Sequence, residues 1–236
     1  MSNNSRWYLA YKYWKKTKLS KFRGKPINKT FKEIYEKNLW RSSASNSGKG
    51  SDNLQAQTII QEIPKLLSRF QISSIHDIPC GDFNWMSKLD LEGITYVGSD
   101  IVPELIESNR REFTSDKITF NTMNLTTDSL PKYDLVFVRD CLVHLSYTDT
   151  KKALSNIIAS RSRYLLTTSF VDRERNFNIA SGEWRPINLE KQPYDFPPPI
   201  HVINENCTQD EGAYRDKSLL LWEIKDLSAI NFLLEI

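Results

Sequence analysis

The residues best placed to do chemistry are acids that follow apolar runs. In "DIPCGDFNWM", Asp77 to Met86, the chain meets an acid, then Pro79, a single glycine at Gly81, and a second acid, Asp82. Gly81 lets the backbone pass close to a ligand without a Cβ in the way. The N–H groups of a helix starting after the turn could receive a negative group. Nineteen residues beyond Gly81, "YVGSD" ends in Asp100, placed to accept hydrogen bonds from both ribose hydroxyls of a nucleoside. Each such charge-assisted bond is worth about 1.5–3 kcal/mol. The competing role for Asp100 is to cap a helix beginning near Pro103. A second pair, Asp140 and His144 in "RDCLVHLS", is four apart, so one helical turn would put both on one face. An imidazole with a reference pKa of about 6.5 suits a general base. Asp140 orients it or takes the proton itself. In the plainer alternative, His144 makes a backbone hydrogen bond beneath its loop and Asp140 only touches a ligand.

Two kinds of nucleoside ligand make opposite demands on such a loop. A dinucleotide's pyrophosphate wants G-x-G-x-x-G; here one glycine stands where three are needed, and Asp82 would repel a phosphate. S-adenosylmethionine has no phosphate. Its amino group and sulfonium are cationic and suit a loop flanked by Asp77 and Asp82.

The elements that must position these residues alternate in type. "ISSIHDI", "ITYVGSD", "KITFNTMN", "YDLVFVRD" and "SRYLLTTSF" read as strands. Between them, Asp82 to Leu89 reads as a short helix and "VPELIESNRREF" as a helix with Pro103 in its first turn. Ser146 with Asp149 three residues later marks the cap of a helix running to about Ser160. Asp52 to Phe70 has helical apolar spacing, with Pro64 predicting a kink or an early end. Strands alternating with helices imply an α/β, doubly wound, mainly parallel sheet, seven-stranded with its last elements included. Those last elements, "HVINENC" and "SLLLWEI", form an antiparallel hairpin in this reading.

With 236 residues, the chain is long enough for one domain with a full core. Its net charge of +3 hides an asymmetry: residues 1–30 hold nine Lys or Arg and no acid. The remainder therefore has 23 basic and 29 acidic residues, a charge of −6. That body gives no strong nucleic-acid signal. The division expected is a basic, aromatic N-terminal extension over 1–30 and a catalytic domain over 31–236. The extension interleaves Trp7, Tyr8, Tyr11, Tyr13 and Trp14 with lysines. It reads as a short helix packing its aromatic side on the body, or as a membrane-surface or protein-docking helix. Cys80, Cys141 and Cys207 suggest neither a zinc site nor a disulfide framework. No apolar stretch approaches the roughly 20 residues that span a bilayer, and no apolar core of a secretory signal is visible. The expectation is a soluble, cytoplasmic protein, peripheral at the membrane if its first segment docks there.

Taken together, "IYEKNLW…SNSGKGS" (34–51), "DIPCGDFNWM" (77–86), "GSDIVPELI" (98–106), "LVFVRDCLVHLS" (135–146) and "INENCTQDEGAYRDKSLLLWEI" (203–224) carry a resemblance. The sequence resembles class I S-adenosylmethionine-dependent methyltransferases, in particular a bacterial and viral group often associated with surface-glycan synthesis. The resemblance covers roughly residues 31 to 227. It implies that Asp77 and Gly81 line the methionine part of the cofactor, with Asp82 near its amino group. Asp100 would hold the ribose and Ile101 pack on the adenine, with Asn124 and Leu125 at the adenine edge. Trp40, Pro79, Cys80 and Arg139, which stand in matching motifs, complete the cofactor-binding set. An Asp is usual where Asn124 stands; its side-chain carbonyl can still accept from the adenine amino group.

The resemblance also implies methyl transfer to a hydroxyl of a sugar or glycan precursor; Asp140 and His144, read above from their spacing, are the catalytic candidates for it, with the base left open between them. A divalent metal held by Asp140 and Asp172, after successive strands, is a less favoured addition. Loops at 38–51, 181–189 and 194–207 would roof the pocket, bringing Trp40, Trp184, Arg185 and Tyr194, with Trp85 nearby. Two alternatives stand beside this reading. One is a non-catalytic cofactor-binding module that docks another enzyme through residues 1–30. The other is a methyltransferase acting on another small molecule or on nucleic acid, against which stands the lack of an N/D-P-P-Y/F tetrapeptide.

Overall fold

Seven short strands form the centre of the computed structural model, which describes residues 3–40 and 53–230. The "SNSGKGS" motif and the roofing loop beyond Trp40 lie outside the described residues, as do the side chains of Trp7 and Leu54. In chain order the strands are β1 (Ser74–Asp77), β2 (Thr95–Asp100), β3 (Ile118–Thr122), β4 (Leu135–Val138), β5 (Tyr164–Phe170), β6 (His201–Asn204) and β7 (Lys217–Glu223). The longer helices are α1 (Asn3–Lys18), α2 (Ile27–Glu36), α3 (Asn53–Arg69), α4 (Pro103–Phe113) and α5 (Tyr147–Ala159), and a single short turn, Gln209–Gly212, lies between β6 and β7.

The sheet order is β3-β2-β1-β4-β5-β7-β6. The first five strands pair in parallel, while β7 runs antiparallel to both β5 and β6. This is the expected doubly wound sheet with a terminal antiparallel hairpin. The strand order reverses between β1 and β4, so a crevice opens at the carboxyl ends of these two parallel strands.

Alternating side chains feed two cores. Leu135, Phe137, Leu166, Leu219 and Leu221 join Ile59, Ile63 and Leu66 of α3 on one face. Val136, Val138, Leu165, Leu220 and Trp222 join Ala153, Leu154 and Ile157 of α5 on the other. A strand covered on both sides has no polar face, which is why "LVFV" is an unbroken apolar run. Helix starts follow local chemistry: Ser146 caps α5 by accepting the Asp149 N–H, and Pro103 opens α4.

Three expectations need correction. Pro64 does not end its helix: α3 continues to Arg69, so the missing N–H is tolerated inside an otherwise packed helix. The segment after β1 is a turn with a 3₁₀ element at Met86–Lys88, not a helix from Asp82, so no helix N-terminus stands there to receive an anion. α1 divides its aromatics: Tyr13 is buried, while Tyr8, Tyr11 and Trp14 are exposed.

Gly98 of β2 shows how tightly the strands near the crevice are packed. A Cβ there would lie 2.7 Å from the Phe120 ring and 3.1 Å from Cys80 Cβ. Gly98→Ala should therefore destabilise the protein by about 1–3 kcal/mol through overpacking, measured by urea unfolding. Adding Phe120→Leu should recover part of that loss.

Candidate active site

The end of β1 places Asp77 at the crevice with only 2% of its surface exposed. The Tyr96 hydroxyl donates to its Oδ2 at 2.6 Å, and burial pushes its pKa up to about 8. Asp100 ends β2 and is 8% exposed. Its Oδ1 accepts the Val102 N–H at 3.0 Å and its Oδ2 the Gly81 N–H at 3.3 Å. These amides oppose burial, which still raises the carboxyl to about 6. The capping alternative is thus realised in part: Asp100 does hold an amide at the entry to α4. Gly81, at φ +56°, makes the turn between the two acids. Its carbonyl accepts from Asn109 Nδ2 of α4 at 2.8 Å.

After β3, Asn124 departs from its expected role. Its Oδ1 accepts the Thr126 N–H at 3.0 Å and the Thr126 hydroxyl at 2.8 Å. Both lone pairs are therefore committed to the local turn, and the side-chain carbonyl is not offered to a ligand.

Beyond β4 the chain enters a buried ion cluster. Arg139 Nη2 and Glu205 Oε2 are 2.6 Å apart, and Lys217 Nζ lies 2.6 Å from Asp140 Oδ2 and 3.3 Å from Glu205 Oε2. The Arg139 guanidinium also lies 5.3 Å over the Trp85 ring. Asp140 itself has φ +53°, and its N–H donates to Thr168 Oγ1 at 2.8 Å. Burial alone would raise the Asp140 carboxyl, but Lys217 and Arg139 outweigh it and hold it at about 2. The helical turn expected to align Asp140 with His144 is absent; a 3₁₀ turn over Leu142–His144 replaces it.

His144 is oriented by a carbonyl rather than by Asp140. Its Nδ1 lies 3.0 Å from the Glu183 carbonyl, which requires the proton on Nδ1 and leaves the Nε2 lone pair available. The Trp40 ring packs against the imidazole with centroids 4.7 Å apart. Burial lowers the pKa of His144 to about 4, so the ring is neutral near pH 7.

These parts meet in one cleft of about 1070 Å³, counting the open space at its mouth. All the expected site residues line it: Trp40, Asp77, Pro79, Cys80, Gly81, Asp82, Asp100, Ile101, Asn124, Leu125, Arg139, Asp140 and His144. Ile27, Phe31 and Tyr35 of α2 line it as well. Their i, i+4, i+8 spacing was a readable signal of a shared helical face.

Other expectations fail. Arg185 and Tyr194 do not roof a pocket; both are fully buried. The Arg185 guanidinium donates to the Leu142 and Val143 carbonyls and to the Tyr194 hydroxyl. Trp184 packs edge-on against Phe170 and Tyr214, and Trp85 forms the floor beneath Arg139. Asp172 is exposed and outside the cleft lining, so it does not join Asp140. The Asp140 carboxylate faces two cations. Among the described residues no group of three or more His, Cys, Asp or Glu could hold a metal ion.

No protein-family model matches the chain, and no curated protein matches it significantly. Solved structures do. The N-methyltransferase NodS from Bradyrhizobium japonicum WM9 is 16% identical, with a TM-score of 0.54 over 73% of this chain and 97% of its own. Human N-acetylserotonin methyltransferase, solved with S-adenosylmethionine, is 16% identical, with a TM-score of 0.52 over 85% of this chain and 60% of its own. What the chain shares with them is the fold, that of the Rossmann-like methyltransferases.

Removing one member of the buried ion cluster leaves an uncompensated charge. Glu205→Gln should lower unfolding free energy by about 3 kcal/mol or more, read from denaturant melts. Adding Lys217→Met, which removes the surplus cation, should restore part of it.

Proposed function

We propose that the chain binds S-adenosylmethionine in this cleft and methylates a hydroxyl of a sugar or glycan precursor, with His144 as general base. The observation that carries the reading is the pair of buried carboxylates, Asp77 and Asp100, facing a cleft at the switch point of a methyltransferase fold. Carboxyls lifted to about 8 and about 6 by burial are sites where a cationic nucleoside is favoured and a phosphate is not. The residues therefore fit the cofactor. Asp77 and Asp82 would face its cationic end and Asp100 its ribose, while Ile101 and Leu125 would bound the adenine. Arg139, fixed by Glu205 and Trp85, would supply positive charge for the methionine carboxylate. When bound, the cofactor supplies a methyl carbon already activated by sulfonium.

The chain's own part is alignment and proton removal. The Glu183 carbonyl holds the His144 tautomer in which Nε2 accepts a proton, and burial keeps the ring neutral. Asp140 is a poorer base, because Lys217 and Arg139 stabilise its ionised form. Its role is to fix the loop that carries His144. The sugar acceptor is supported by the sequence resemblance and by Trp40, Phe31 and Tyr35 along the cleft wall, which offer aromatic faces.

Calorimetric titration with S-adenosylmethionine tests the cofactor reading. Asp100→Ala should weaken binding at least about tenfold, the loss of one charge-assisted bond; unchanged affinity in the folded variant would refute the ribose assignment. His144→Ala should keep cofactor affinity yet cut methyl transfer to saccharide acceptors about 10²–10⁴-fold. Full turnover in that variant would rule out His144 as the base.

A further inference from the structure

α1 is fastened by one face and exposed on the other. On the fastened face, Tyr13 stacks on Phe177 with ring centroids 4.5 Å apart and 10° between the planes. Thr17 Oγ1 donates to the Asn178 carbonyl at 2.9 Å, the Lys16 ammonium donates to the Trp184 carbonyl, and the Ala180 N–H donates to the Lys16 carbonyl at 3.1 Å. On the outer face, Tyr8, Tyr11 and Trp14 are 66%, 54% and 50% exposed. Lys12, Lys15 and Lys18 are exposed beside them. Positions 8, 11, 15 and 18 recur at helical spacing, so rings and ammonium groups share one stripe. Lys15 Nζ lies 4.7 Å from the Tyr11 ring centroid.

Three exposed aromatics on one helix need a partner that welcomes both rings and cations. A bilayer interface does so: Tyr and Trp rings settle at headgroup level, and lysine stems lie along the apolar boundary with their charges outward. The absence of any acid in residues 1–30, against nine basic residues, matches an anionic surface. Single-stranded nucleic acid also takes rings and cations, but it is held in a groove that tracks its backbone. This stripe lies on the convex side of a helix.

We propose that the outer face of α1 docks on a membrane surface containing anionic lipid, with Tyr8, Tyr11 and Trp14 at headgroup level and Lys12, Lys15 and Lys18 against lipid phosphates. The inference is independent of the reaction assigned to the cleft. Docking holds the cleft beside the bilayer, because the opposite face of α1 is bonded to the 178–184 segment that includes Glu183, whose carbonyl orients His144.

The test is flotation of the full chain with vesicles of phosphatidylcholine alone and of phosphatidylcholine mixed with phosphatidylglycerol. The chain should float with the mixed vesicles, remain behind with the neutral ones, and bind less as ionic strength rises. K12Q/K15Q/K18Q should lower partitioning about a hundredfold, at about fivefold per lysine. Y8S/Y11S/W14S should also release the protein, with melting temperatures of both variants near that of the unmodified chain. Failure to float, equal flotation with both vesicle types, or salt-insensitive binding would overturn the proposal. Wild-type partitioning by either folded variant would overturn it too, as would tight binding to single-stranded RNA without vesicle binding.

Discussion

Asp77 and Asp100 end neighbouring strands with their carboxyl groups nearly sealed from water, and the local structure is arranged to hold them there. Removing a carboxylate from water costs several kcal/mol unless hydrogen bonds or opposite charge offset it. The Tyr96 hydroxyl meets Asp77, and the Gly81 and Val102 amides meet Asp100. That offset is incomplete, since both groups remain raised above the usual carboxylate range. Near pH 7 Asp77 is therefore mostly protonated, and in the proposed reading a cation entering the cleft would draw it into its ionised form. The left-handed turn at Gly81 and the Asn109 contact to its carbonyl follow from the need to keep that geometry.

The second constraint lies across the crevice. The end of β4 carries Arg139 and Asp140, one cation and one anion, with Arg139 Nη1 3.6 Å from Asp140 Oδ2, and each has a further charge partner on the terminal hairpin. Glu205, just after β6, and Lys217, opening β7, provide those partners. The terminal antiparallel hairpin thus completes the sheet and also neutralises the base of the loop that carries His144. With Asp140 engaged there, the imidazole of His144 is left to the Glu183 carbonyl and to Trp40.

Local pattern makes the strand sequence, the α5 cap, the terminal hairpin and the acids of the cleft legible in the sequence alone. Each depends on residues near one another in sequence: a run such as "LVFV", Ser146 with Asp149, or an acid closing an apolar strand. What escaped depends on distant partners. Nothing near Asp140 announces Lys217, 77 residues away in the chain. Arg185 and Tyr194 look like surface loop residues until Arg185 is seen donating to the carbonyls beneath His144 and to the Tyr194 hydroxyl. The commitment of Asn124 to Thr126 is local, yet the resemblance to a position usually held by Asp drew attention to the ligand instead of to the turn. The aromatics of α1 show the reverse case: their periodicity is visible in the sequence, but only the docked Tyr13 tells which side faces outward.

The most direct test of the central claim is calorimetry of S-adenosylmethionine binding from pH 5.5 to 9, in buffers of differing ionisation enthalpy, with NAD as comparison. A cation favours the ionised carboxylates, so binding should expel protons near neutrality. Affinity should rise as pH passes about 6 and about 8 and level off above that. NAD should not bind. Affinity independent of pH with no proton release, or preferential binding of NAD, would contradict the account that buried acids select a cationic nucleoside.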